Sequence, residues 1–349
     1  MSPWTAFLLA RGASFDATEV ASFGDAPGEL AAARDAAVVC DLGPVAALAV
    51  TGSDAAAFLQ GQLTNDVAAL APGSSQLSAC CSPKGRVLTN FIVRRVESEH
   101  FELLLPRLLL ETVQRRLALF VLRAKVTLRD ASEAAVRIGI GGPAAAQCVA
   151  HVAATVPTLQ HWTPIDGGSV SLLPGSRFIA SVEQAKAPSL WDALGAARAA
   201  GFPCWRWLTI RAGVPVILPP TQDQFIPQML NLDALAGVSF QKGCYTGQEI
   251  VARTQYLGRL KERLALAHTA AAAAPGARLF APGFGDQPCG TVINAARAPD
   301  GGTDLLCVAQ LAAIAEGDLR LEARVGAALT LLPLPYALPT PAAPRGRIA

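Results

Sequence analysis

Hydrophobic and polar positions alternate along much of the chain after residue 43, the pattern of strands with one face buried. Residues 44–51 predict a strand, and Gly52, Ser53 and Asp54 then open a helix through Leu63 with Ser53 as its N-cap. Strands are expected at 75–81, 86–96 and 100–105. Pro106 stands where a helix can begin, and Leu109, Val113, Leu117 and Phe120 recur on one face of it. A strand at 124–130 closes a unit ordered strand, helix, strands, helix, strand, which is an α+β arrangement.

A second, similar unit follows. Residues 136–140 and 177–182 read as strands, with helices after Pro143 and over 188–200. Beyond Gly258 the texture changes. Short alternating runs at 259–267, 277–280, 289–295, 304–309, 319–324 and 327–332 are separated by Pro-Gly turns, which predicts a small all-β barrel or sandwich. From residue 333 prolines accumulate and the chain ends in a basic tip, so a disordered tail is expected.

Composition narrows the class. The chain has 349 residues, more than one core comfortably holds, with 52% hydrophobic and 16% charged residues. Net charge is +2, which gives no general polyanion binder. Charge is uneven, however: residues 1–83 hold two basic against eight acidic residues, and residues 84–129 hold ten basic against four. That basic stretch is either a local anion site or a solvated arginine-rich face. It lacks the interleaved aromatics of a nucleic-acid module, so direct nucleic-acid contact is not expected. The eight cysteines form no CxxC pair and read as reduced thiols, which with no targeting segment or membrane-spanning run predicts a cytoplasmic protein. Four histidines, none near Cys244 in sequence, give no zinc-site pattern and no metal ligand is assigned.

The octapeptide KGCYTGQE at 242–249 concentrates the candidate chemistry. It sets one thiol, Cys244, between glycines and ahead of a helix expected over 248–256, with Gly258 as its stop. A helix start and the nearby Lys242 both steady negative charge on sulfur, so Cys244 and Lys242 are the catalytic candidates. The commoner fate of a free cysteine is burial as a small hydrophobe. A reactive thiol here can form a mixed disulfide, accept sulfur, or share an iron–sulfur cluster with a partner's ligands, because one cysteine cannot hold a cluster alone.

Three stretches carry a family resemblance: 47–67 (ALAVTGSDAAAFLQGQLTNDV), 78–91 (SACCSPKGRVLTNF) and 221–253 (TQDQFIPQMLNLDALAGVSFQKGCYTGQEIVAR). Together they resemble the YgfZ family of folate-binding proteins, relatives of the glycine-cleavage aminomethyltransferase, the T-protein. The resemblance implies a three-domain cloverleaf: two α/β units around a central channel, plus a C-terminal β-barrel. The expected divisions are a folate-binding domain at 1–132, a second α/β domain at 133–204, a segment at 205–257 completing the channel, the barrel at 258–335 and a tail at 336–349. The implied role is that of an accessory protein for iron–sulfur cluster assembly or repair. It would bind tetrahydrofolate and support iron–sulfur proteins such as tRNA-thiolating enzymes, with a transient shared cluster at the thiol.

In the family the essential thiol maps onto Cys244 and a folate-associated tryptophan onto Trp205, while a second family tryptophan falls at Val45 here. Folate needs a flat slot, directed hydrogen bonds and a cationic mouth. Trp205 can supply the slot. Gln62, Asn65, Gln228 and Asn231 can read the pterin edge, Arg86 can meet the carboxylates, and Tyr245 adjoins the thiol. Core packing for the tryptophan and cap or turn hydrogen bonds for the amides are the plainer readings. The alternative function is a tetrahydrofolate-dependent one-carbon transferase. Where the T-protein carries its catalytic aspartate, however, this chain has Thr89 and Asn90, and neither is a carboxylate base.

Overall fold

A computed structural model of the chain describes residues 2–258 and 260–339. The first unit is built on a five-stranded antiparallel sheet in the spatial order Ser74–Cys81, Val87–Glu97, His100–Pro106, Val45–Thr51, Thr127–Asp130. Helix Arg107–Ala118 starts from Pro106 and buries Leu109, Leu110, Val113 and Leu117. Phe120 was expected on that face. The helix ends before it, in a run of turns, and leaves it 38% exposed. Helix Ala55–Gln62 begins one residue later than expected, with Asp54 in place of Ser53 at its N-cap position and no side-chain cap. The Asp54 carboxylate accepts the Lys125 amide instead, which ties the helix start to the far edge of the unit.

The second sheet has six strands: Trp162–Ile165, Gly168–Leu173, Arg177–Val182, Val136–Gly141, Val38–Asp41 and Arg198–Ala200. Val136–Gly141 and Arg177–Val182 match the strands expected here; the other four, among them the hairpin of Trp162–Ile165 with Gly168–Leu173, were not in the sequence reading. Val38–Asp41, far upstream, pairs with Val136–Gly141. Arg198–Ala200 lies parallel to it at the sheet edge, where a helix over 188–200 had been expected. That helix is Ala187–Ala193; it ends at Leu194, and Gly195 follows in the turn.

The C-terminal sheet curls into a half-barrel of antiparallel strands, ordered Arg320–Leu321, Arg278–Phe280, Gly290–Arg297, Thr303–Gln310, Glu262–Thr269, Thr330–Leu332. Its outer strands do not pair with each other among the described residues, so the predicted barrel is open. A bulge between Val292 and Asn294 re-aims Asn294. Helix Phe202–Arg211 joins the units. Cys204, Trp205, Trp207, Leu208, Thr209 and Ile210 are all buried, as suits a helix packed on several sides. It touches both six-stranded sheets, and Trp207 Nε1 donates to Asp304 on the half-barrel at 2.9 Å.

The tail was expected to be disordered from 333, yet it is ordered through Tyr336. The Tyr336 hydroxyl donates to the Gly213 carbonyl at 2.8 Å and accepts from Asn231 Nδ2 at 3.4 Å. Residues 340–349 of that expected tail lie outside the described residues. No helix among the described residues is long and apolar enough to cross a membrane.

Candidate functional site

The three signature stretches meet in space. Lys242 is 8% exposed, and its Nζ donates to the carbonyls of Gln60 (2.7 Å), Leu63 (2.6 Å) and Asn65 (3.0 Å). Asn65 Nδ2 in turn donates to Leu77 O and Ala236 O, and Thr64 Oγ1 to Gly237 O. The stretch at 78–91 joins through the turn after Ser82, whose Oγ donates to Asp223 at 2.6 Å. Two glycines interlock there. Gly247 has φ +83, and a Cβ on it would stand 2.4 Å from Ser82 O and 2.8 Å from Gly85 Cα. Gly85 has φ +70, and its Cβ would meet Ile250 at 2.9 Å. No other residue tolerates both the backbone conformation and the approach at Gly247.

Cys244 stands in the turn ahead of helix Gln248–Tyr256, in an open groove with Pro83, Tyr245, Glu249 and Ala252. It is the exposed cysteine; the other seven are buried. Tyr245 lies beneath the turn, 7% exposed, and burial pushes its phenol up. The support expected from Lys242 takes another form. A lysine ammonium has three N–H groups, and all three are committed to carbonyls of residues 60–65. Burial pushes Lys242 down to about 8, while three acceptors oppose that shift because only the protonated amine can satisfy them all. Lys242 fastens the Cys244 turn to the first unit.

A separate cavity of about 620 Å³ opens where the units and the joining helix meet. Its wall includes Asn90 and Phe91 of the first sheet, Arg177 and Ile179 of the second, Trp205 and Thr209 of the helix, and Asn294 of the half-barrel. Of the seven residues expected to touch folate, Trp205 lines it. The others lie elsewhere. Arg86 is exposed and donates to Gln224 O. Gln228 donates to Val251 O beneath helix Gln248–Tyr256, and its Oε1 is sealed without a partner. Asn231 is held by Leu264 O, Tyr336 and Arg263. Asn65 is spent on backbone carbonyls, Gln62 closes its helix, and Tyr245 belongs to the thiol groove. The structure thus separates Trp205 from the amides with which the sequence reading grouped it.

Trp205 is 5% exposed and seated by glycine: a Cβ on Gly139 would stand 2.7 Å from its ring. The Arg177 guanidinium lies 5.3 Å from the ring centroid. Arg177 is 2% exposed, donates Nε to Pro174 O and Nη1 to Thr209 Oγ1, and makes no ion pair among the described residues. Burial pushes it down to about 9, so it remains cationic at neutral pH. Arg107 and Arg206 also line the cavity, with partly exposed side chains; Arg206 pairs with Glu19 at 2.7 Å. Sequence reasoning missed all three arginines. For Arg177 the available signal was an arginine at the head of an otherwise apolar or small strand, RFIASV, which is buried except at Ser181.

Asn90 also lines the cavity, but its amide is occupied. Nδ2 donates to Pro215 O at 2.8 Å and Oδ1 accepts the Ile217 amide at 3.0 Å. Asn294 grips Val216 from the other side through both N–H and C=O. Two asparagines from different sheets therefore hold residues 215–217 as a cavity wall.

The family described as the GCVT N-terminal domain matches residues 7–162. A tRNA-modifying protein YgfZ of Serratia proteamaculans is 35% identical over 300 residues, covering 84% of this chain and 90% of that protein. Its counterpart from Cronobacter sakazakii is 35% identical over 298 residues, 83% of this chain and 90% of the relative. Among solved structures, the glycine cleavage system aminomethyltransferase T from Bartonella henselae superposes with a TM-score of 0.76 at 18% identity, covering 96% of this chain and 97% of its own. At that identity the likeness establishes a T-protein-like fold. With the thiol turn fastened by Lys242 and relatives matched over most of their length, the chain belongs to the YgfZ family.

Proposed function

We propose that this protein is a folate-binding accessory protein that supports iron–sulfur enzymes, including those that modify tRNA, and that works through Cys244. The observation that carries the folate part is the cavity of about 620 Å³ that Trp205 lines. Its volume lies within the range of small-molecule sites, roughly 300–1,000 Å³. Apolar walls, a buried cation and the more exposed Arg107 suit a flat heterocycle with an anionic tail. Tetrahydrofolate is the group proposed there. The relatives' name supports the link to tRNA modification. Direct contact with tRNA is not part of the proposal.

The accessory role rests on what surrounds the thiol. Cys244 is exposed on an open groove with no second exposed cysteine among the described residues. A lone accessible thiol is arranged to meet a partner's group, so an iron–sulfur cluster is cargo shared with that partner. The transferase alternative finds no carboxylate base at Thr89 or Asn90, and the Asn90 amide is already used to hold residues 215–217.

Thermal unfolding with and without tetrahydrofolate tests the site, since a ligand bound to the native state raises the midpoint by mass action. The wild type should rise and Trp205→Ala should lose most of that rise. In cells lacking the protein, Cys244→Ser should keep the folate response yet fail to restore iron–sulfur enzyme activity. Full restoration by Cys244→Ser would remove the thiol from the mechanism.

A further inference from the structure

The cavity's charge is graded from mouth to interior. Arg107 and Arg206 have partly exposed side chains; Glu19 neutralises Arg206 at 2.7 Å, and Glu133 stands 3.8 Å from Arg107. Arg177 is 2% exposed and has no carboxylate partner among the described residues. Two of its three nitrogens are held by protein oxygens, Nε by Pro174 O and Nη1 by Thr209 Oγ1. Thr209 Oγ1 donates in turn to Trp205 O, so the guanidinium and the indole are positioned by the same turn of helix. Nη2 has no acceptor among the described residues, yet it is not among the sealed unpartnered side-chain atoms; with Arg177 lining the cavity, that leaves Nη2 open to it.

An arginine has five N–H donors and no acceptor. Whatever meets Nη2 must therefore present a lone pair, and a second N–H directed at it would leave buried donors on both sides unpaired. Arg107, whose carboxylate neighbour Glu133 is largely exposed and stands 3.8 Å away, is the mouth cation that can turn to the carboxylates of a glutamate tail, which leaves the ring end of the ligand beside Trp205 and Arg177.

We infer that Arg177 is a specificity-determining residue of this cavity, donating from Nη2 to a carbonyl oxygen on the ligand's heterocycle, so that the site takes 4-oxo pterins and rejects 4-amino pterins. The inference rests on the folate reading above and adds to it which ring substituent the protein reads. It also predicts that the site is closed to 4-amino antifolates although they are nearly the same shape, because a site built around a directed hydrogen bond discriminates by what is left unpaired.

Tetrahydrofolate and tetrahydroaminopterin differ only in the 4-oxo and 4-amino groups, and tetrahydropteroate lacks the glutamate. Calorimetric titration of the full chain with each separates the possibilities. Wild type should bind the 4-oxo compound at least about tenfold more tightly than the 4-amino compound. Arg177→Gln can turn either its carbonyl or its NH₂ toward the ligand, so the preference should shrink to within about threefold. Equal wild-type affinity for the two compounds overturns the inference without any variant needing to fold. So does an Arg177→Gln protein that keeps the full preference. If affinity depends on Arg177 only when the glutamate is present, the residue reads the tail and the assignment is wrong, with the folate reading intact. No binding of tetrahydrofolate to wild type overturns both.

Discussion

Lys242 shows how far a single residue's role depends on partners distant in sequence. Beside Cys244 it reads as an electrostatic aid to the thiol. In the fold its three N–H groups go to Gln60, Leu63 and Asn65, more than 170 positions away. No local pattern announces that, because carbonyl acceptors have no sequence signature. Trp205 was legible through the family resemblance, whereas Arg177 needed the structure, since its place at the head of an apolar strand says little until its burial and its lack of a counter-ion among the described residues are seen. Lys242→Met keeps the aliphatic stem and strips three buried carbonyls of their donor. Unsatisfied buried acceptors cost about 1–3 kcal/mol each, but water will reach some of them, so an overall loss of about 2–4 kcal/mol is expected. Urea unfolding measures it. Wild-type stability in Lys242→Met, with Cys244 function lost, would mean that the lysine serves the thiol and not the fold.

At the scale of elements, local signals succeeded where start and stop residues are local. Helix Gln248–Tyr256 has the predicted bounds because Gly247 precedes it and Gly258 follows. The same reasoning failed over 188–200. An edge strand at Arg198–Ala200 answers to Val38–Asp41, some 160 residues upstream, and that pairing overrides local helix propensity. The first 43 residues carried no prediction of elements, yet they hold helices Pro3–Ala10 and Ala26–Asp35, a hairpin of Ser14–Asp16 with Glu19–Ser22, and the strand Val38–Asp41, whose partners in its sheet come from residues 136–200. The thiol turn permits a sharp contrast between glycines of one motif. Gly247→Ala forces a side chain into φ +83 and within 2.4 Å of Ser82 O, whereas a Cβ on Gly243 meets nothing within 4 Å. Gly247→Ala should cost at least about 2 kcal/mol, while Gly243→Ala should stay within about 0.5 kcal/mol of wild type. Equal midpoints for the two in denaturant would show that the turn yields without resistance.

Over the whole molecule, the cavity is made by no single unit. Asn90, Arg177, Asn294 and Trp205 reach it from three sheets and the joining helix, so its shape depends on how the units are held together. The α+β class and the change to an all-β C-terminal part were legible in the alternation and the Pro-Gly turns. Closure was not: the last sheet is an open half-barrel among the described residues, and residues 333–336 after it form a strap. Tyr336 fastens that strap to Gly213, the residue that follows the Trp205 helix, and to Asn231. Gly213 has φ +67, and a Cβ there would lie 2.6 Å from the Tyr336 ring, so the aromatic sits directly on the backbone of the turn. Tyr336→Phe leaves the ring and removes one donor, which should cost about 1 kcal/mol. Tyr336→Ala also empties the site of the ring and should cost about 3–5 kcal/mol. Because the turn it releases adjoins the Trp205 helix and residues 215–217, Tyr336→Ala should weaken tetrahydrofolate binding as well, although Tyr336 does not line the cavity. Unfolding midpoints and calorimetric titration on the same three proteins decide the matter. Unchanged affinity in a destabilised Tyr336→Ala would confine the strap to stability and leave the cavity's shape to the two asparagines.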